Sequence, residues 1–228
     1  MDNAKRLLPL LFLLIAIGAG RGQAQTRYAT DFQMWTDWQV IVPFGTGHEW
    51  NATFFLTGRF GDDARKVVDD RVGVMITKRL NKKATVGGGY LYRTSDPTFV
   101  ARKYQSRFFG VAYINEPIGH KFTLTSRLMG QYEDDYSRPD DVVFETRFGI
   151  KREMKVGKHV VEPFVTFEPV YDTKMRQLVV FREQIGVTHA LGKSLSTDVY
   201  YLRQDVPGHG SRPGTVNGVG TSLKVTVR

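Results

Sequence analysis

Apolar and polar residues alternate with a period of two along most of this 228-residue chain. From His48 to Phe60 one side carries Trp50, Ala52, Phe54, Leu56 and Phe60, and the other carries Asn51, Thr53, Phe55, Thr57 and Arg59. Lys121–Tyr132 sets Phe122, Leu124, Leu128 and Tyr132 against Thr123, Thr125, Arg127 and Gln131. Val142–Ile150 sets Val142, Phe144, Phe148 and Ile150 against Glu145 and Arg147, and Asp70–Arg79 sets Val72, Val74 and Ile76 against Arg71, Thr77 and Arg79. Successive side chains of a strand point to opposite sides, whereas a helix would gather apolar residues at i, i+3, i+4 and i+7. The pattern predicts strands. Asp31–Val42, Ala84–Thr94, Tyr104–Asn115, His159–Tyr171, Gln177–Ala190, Leu195–Asp205 and Val216–Arg228 read the same way, which makes eleven.

Two kinds of connection separate them. Short turns rich in Lys, Gly or Asn fall at Asn81–Lys83, Asn115–Gly119, Lys155–Lys158 and Leu191–Ser194, as hairpins require. Longer polar connections fall at Gly61–Asp69, Ser95–Lys103, Glu133–Asp141 and Val206–Thr215. Short turns on one rim and longer loops on the other are the habit of outer-membrane barrels, whose short turns face the periplasm. Most strands run about 10–13 residues, close to the roughly 9–11 that cross a bilayer at a tilt. Aromatics near strand ends, among them Trp35, Trp38, Trp50, Tyr104, Tyr132, Tyr171, Tyr200 and Tyr201, suit interfacial girdles. The predicted fold is an up-and-down antiparallel transmembrane β-barrel of 10–12 strands. Bacterial single-chain barrels have even numbers, so ten or twelve is the expectation against the eleven counted.

The N-terminus belongs to a different segment. Lys5 and Arg6 precede an apolar stretch from Leu7 to Ala19, and Gly22-Gln23-Ala24 places small residues where a signal peptidase reads. The apolar stretch is too short for a spanning helix. Residues 1–24 are therefore expected to be a signal peptide cleaved after Ala24, and residues 25–228 the barrel. Loss of Lys5, Arg6, Arg21 and Asp2 takes two net charges from +9 and leaves +7. Such a balance fits an anionic lipid surface or an anionic solute, and export argues against nucleic acid. The absence of Cys excludes disulfides and thiolate chemistry.

Several features occur in a recognisable order: Asp31-Phe32-Gln33-Met34-Trp35 after the leader, a first hairpin ending in Arg59, a Gly-rich strand reaching Tyr90, and a late Gln-x-Gly strand at Gln184 and Gly186. In these the chain resembles domain-of-unknown-function family 2490, small outer-membrane barrels of Gram-negative bacteria. The resemblance covers essentially the whole mature chain; it implies a bacterial outer-membrane location and a fold, and no reaction. The ending Val225-Thr226-Val227-Arg228 departs from the aromatic last residue usual in outer-membrane barrels.

The polar faces are rich in arginine. Arg59, Arg71, Arg79, Arg107, Arg127, Arg147 and Arg182 lie opposite the apolar faces, with Glu145, Glu162, Glu168 and Gln184 on the same side. A charge on the lipid face near the midplane costs about 2–4 kcal/mol, so these residues should point inward. Arg59, Arg71, Arg127, Glu145, Arg147, Glu162, Glu168 and Arg182 are the expected lumen-lining set. They could form a ladder of ion pairs that fills the lumen, in a structural or envelope-associated barrel. Alternatively, surplus arginine could line a small anion-preferring pore. A third reading is an outer-membrane lipid hydrolase using His209 and Ser211 in the loop before the last strand. The five histidines, at 48, 120, 159, 189 and 209, are scattered without zinc-site spacing. No metal or cofactor is expected. The expected partners of this monomer are outer-membrane lipid, lipopolysaccharide and the barrel-assembly machinery, with no nucleic acid. The acidic stretch Glu133-Asp134-Asp135 with Asp140 and Asp141 reads as a solvated loop.

Overall fold

The computed structural model describes residues 29–96, 103–135, 140–157, 159–207 and 213–227. The expected signal peptide, His209 and Ser211 lie outside these residues. The described chain is all strand and turn: β1 (Ala29–Phe44), β2 (Trp50–Gly61), β3 (Lys66–Arg79), β4 (Ala84–Ser95), β5 (Lys103–Gly119), β6 (Phe122–Asp135), β7 (Asp141–Arg152), β8 (Met154–Val156), β9 (His159–Asp172), β10 (Gln177–Ala190), β11 (Leu195–Val206) and β12 (Gly214–Thr226). Consecutive strands pair antiparallel, except that β9 pairs with β7 as well as with the short β8.

Closure comes from β1 and β12, which pair in parallel from Ala29–Gly214 to Ile41–Thr226. Eleven strands thus span the barrel, and β8 only extends one wall. Eleven is the number counted along the sequence and lies within the 10–12 expected; the even number is not kept, and the topology adjusts to that. Eleven spanning strands make ten antiparallel steps, so the last strand runs in the direction of the first and the ring closes only through a parallel pair. Parallel pairing is slightly weaker per residue, but it leaves no open edge.

One rim, here called basal, carries residues 45–49, 80–83, 120–121, 157 and 191–194 and the end of β12. The apical rim carries 62–65, 96, 140, 173–176, 207 and 213 and the start of β1. The two rims differ less in loop length than the sequence suggests. The stretch Gly61–Asp69 is no long loop: β3 resumes at Lys66, after a tight turn with Asp62, Asp63 and Ala64 at positive φ.

The barrel is apolar outside and polar inside. Phe54, Phe144 and Phe148 are 53%, 50% and 53% exposed, whereas Thr53 and Thr57, one and three residues from Phe54, are buried, as is Gln131 on β6. The even-numbered apolar face of each of these strands therefore meets the surroundings, as a lipid-facing wall requires. Trp38, Tyr104, Tyr132, Tyr171 and Tyr201 lie on that outer face. Trp35 and Tyr200 do not. At 3% and 7% exposure they point into the barrel, because Trp35 shares the parity of Asp31 and Gln33, and Tyr200 that of Leu202.

Two apolar clusters occupy the interior. Leu91, Phe109 and Val111 pack with Phe55, Met75, Tyr113 and Met129, and Trp35, Tyr200, Leu202 and Val216 pack with Phe164. Inward-facing glycines make room for the rings. A Cβ on Gly220 would fall within 2.2 Å of the Tyr200 ring, and one on Gly73 within 2.4 Å of the Phe55 ring. With Gly220 bare, the Tyr200 hydroxyl reaches Asp37 Oδ2 at 3.4 Å.

At the parallel seam a Cβ on Gly218 would lie 2.2 Å from the Gln33 carbonyl oxygen, a backbone atom that cannot turn aside. Gly218→Ala is expected to destabilise the barrel by roughly 1–3 kcal/mol through strand displacement. The unboiled protein should run apart from the boiled form on a denaturing gel, and in the variant this shift should vanish at a lower temperature.

Candidate functional site

The inward positions toward the apical rim carry charge on almost every strand. On β3, Asp69 and Arg71 share the inner face, and Asp69 gathers three guanidinium groups: Arg71 Nε at 2.8 Å, Arg93 Nη2 from β4 at 2.5 Å and Arg59 Nη1 from β2 at 3.5 Å. From Arg93 the contacts continue to Gln105 on β5 at 3.2 Å, and Arg107 donates to the same amide oxygen at 2.7 Å. Arg107 also pairs with Glu133 on β6 at 2.7 Å and donates to Gln131 at 3.3 Å. Gln131 then donates to Glu145 on β7 at 2.7 Å.

Glu168 on β9 is the second convergence point. Its carboxylate, 1% exposed, accepts from Arg127 Nη2 at 2.7 Å, from Arg147 Nε at 2.5 Å and from Arg182 Nη1. Arg127 also reaches Glu145 at 3.1 Å, which joins the two halves of the network. The local sequence helps to place Glu168. Pro169 has no N–H to donate, and the β7–β9 ladder is interrupted between the pairs Glu145–Val170 and Phe148–Phe167. Arg147 and Glu168 meet within that interruption.

Arg182 closes the circuit. It donates to Gln204 on β11 at 3.1 and 2.9 Å, and its guanidinium lies 5.1 Å from the Trp35 ring centre. The Arg59 guanidinium lies over the same ring at 3.8 Å, in the range of cation–π attraction. Trp35 Nε1 donates to Gln33, which in turn donates to Asp31. A continuous belt of contacts therefore runs round the inside of the barrel, with every spanning strand but β12 contributing. It holds seven arginines against Asp69, Glu133, Glu145 and Glu168, with Asp31 and Asp37 beside it on β1.

Of the residues singled out from the sequence, Arg59 and Arg71 join the Asp69 group, and Arg127, Glu145, Arg147, Glu168 and Arg182 join the Glu168 group. Glu162 stands apart, paired with Lys151 at 2.8 Å nearer the basal rim. Gln131 lies on the polar face that the alternation assigns to it, whereas Asp69, Arg93, Gln105, Glu133 and Gln204 are members that the sequence reading lacks. Extending the alternation past the apparent strand ends would have found Asp69, two residues before Arg71, and Glu133, two after Gln131.

The basal rim is chemically different. Lys83–Glu116 at 2.7 Å and Lys121–Glu153 at 3.4 Å are exposed pairs. Backbone N–H groups of Glu49 itself and of Gly47 (2.9 Å) hold the Glu49 carboxyl below the usual carboxylate range. The histidines are less scattered than their numbers suggest. His189 Nε2 lies 3.3 Å from His159 Nδ1 across β9 and β10. Among the described residues there is no group of three or more side chains able to share a metal.

A family model described as "Protein of unknown function (DUF2490)" matches residues 32–213. No curated protein matches the chain. Among solved structures, an anion-selective porin from Comamonas acidovorans is similar over 76% of this chain, at 14% identity and a TM-score of 0.39. The chain spans 52% of that porin's length. So remote a likeness bears on neither mechanism nor ligand.

Glu168→Gln keeps the shape of the second group and strips its charge. It is expected to cost about 3–5 kcal/mol, because three buried guanidiniums lose their common partner. Glu116→Gln, on an exposed pair, should change stability by no more than about 1 kcal/mol. Urea unfolding followed by tryptophan fluorescence in detergent micelles separates the two.

Proposed function

The chain belongs to the DUF2490 family, and we propose from its own geometry an outer-membrane barrel whose lumen is filled by side chains. In this reading its role is structural or envelope-associated and not enzymatic. The observation that carries it is the closed belt of ion pairs and amide contacts, stacked on two apolar clusters within the same interior. Charges that satisfy one another need no water column, and rings packed into glycine sockets leave little room for one. The apolar outer wall with its aromatics supports the membrane location. Outer-membrane lipid and lipopolysaccharide would surround a monomer inserted by the barrel-assembly machinery.

A second reading has one observation in its favour. The arginines of the belt outnumber its carboxylates, and a residual aqueous path past Arg147 would prefer anions. The apolar clusters weigh against it. The hydrolase reading depends on His209 and Ser211, outside the described residues, and gains nothing from the geometry.

Planar-bilayer recording distinguishes the two remaining readings. The wild-type barrel is expected to show no ion steps. Replacing both Arg59 and Arg182 by Ala removes the groups that meet over Trp35 and should introduce steps. Anion-selective steps from the wild type would sink the filled-lumen reading in favour of the pore.

A further inference from the structure

His159 opens β9 and His189 is the penultimate residue of β10. The register sets His189 directly opposite Val161, which makes His159 its diagonal neighbour, within reach of a long side chain. Both share the parity of outward residues, His159 that of Val165 and His189 that of Ile185 and Val187. The two rings thus stand on the outer wall at the basal rim, away from the belt, His159 exposed and His189 half-buried.

We propose that His159 and His189 form a two-histidine site for a divalent transition-metal ion of the zinc class. The argument is one of distance. Zinc–imidazole bonds of about 2.05 Å at a tetrahedral angle of about 109° set the two ligand nitrogens about 3.3 Å apart. The facing nitrogens, His189 Nε2 and His159 Nδ1, lie 3.3 Å apart, with the rings at 73° to each other. Small rotations of the rings aim both lone pairs at one ion; the ring that donated the shared hydrogen then carries its proton on its other nitrogen. Water completes the coordination: the pair is exposed, Val161 and Val187 beside it offer no ligand atoms, and the Thr197 hydroxyl opposite His189 donates to the Ser222 carbonyl. Imidazole suits zinc, nickel and copper alike, so the class of ion is fixed more firmly than its identity. The ion would clip β9 to β10 at the end far from their connecting turn at 173–176, where the hairpin has no covalent tie.

The test uses the full mature barrel, purified without a histidine tag. Zinc chloride alone is titrated by calorimetry, and copper chloride alone is followed by electron paramagnetic resonance. The wild type should bind one equivalent, show two nitrogen ligands on copper and gain thermal stability with zinc. His159→Ala and His189→Ala should each lower the affinity about tenfold or more, while His120→Ala should leave it unchanged. All three variants should keep the gel shift of the folded barrel, so that lost binding is not lost folding. Absence of binding in the wild type, or undiminished binding in both single variants, would overturn the site and leave a hydrogen-bonded histidine pair.

Discussion

Three guanidinium groups from β6, β7 and β10 converge on the carboxylate of Glu168, and the interior is organised around that convergence. A buried carboxylate is tolerable only when its charge is answered, and each arginine in turn needs an acceptor in a confined space. The second convergence, at Asp69, solves the same problem on the far side of the ring. Glutamines at 105 and 131 carry contacts from one group to the next without adding charge, and Gln204 accepts twice from Arg182. Trp35 stands at the crowded meeting of Arg59 and Arg182, where its ring face attracts both cations and its indole N–H is held by Gln33.

The rest of the fold follows from turning a barrel inside out. In a lipid setting the outer wall gains nothing by hiding Phe54 or Phe148, so stability must come from the closed hydrogen-bond ladder and from what fills the interior. The belt supplies the polar part of that filling. The aromatic clusters supply the rest, and they depend on bare glycine positions such as Gly73 and Gly220. The odd strand number adds one constraint: β12 must pair in parallel with β1, and at that seam Gly218 sits where a Cβ would meet the Gln33 carbonyl.

The strands themselves were legible, because side chains of a strand alternate whatever surrounds them and one face must be apolar. The inward direction of Arg127, Arg147 and Glu168 was legible for the same reason. What failed did so at the ends. Polar residues near a rim look like loop, so the alternation alone ends the strands short of Asp69 and Glu133, although their parity matches Arg71 and Gln131. The closeness of Trp35 to the strand start suggests a girdle, whereas its parity with Asp31 and Gln33 turns it inward.

The sequence by itself determined the class of fold, the two faces of each strand and the residues able to carry charge inside. These depend on local periodicity, which one strand expresses alone. Only the tertiary structure decided the parallel closure, the sharing of one carboxylate among three arginines, and the meeting of His159 with His189. Each of those depends on the register between strands. A shift of one residue flips a side chain to the other face, and a shift of two changes its neighbour, so contacts across 30 residues cannot be read from the spacing of letters.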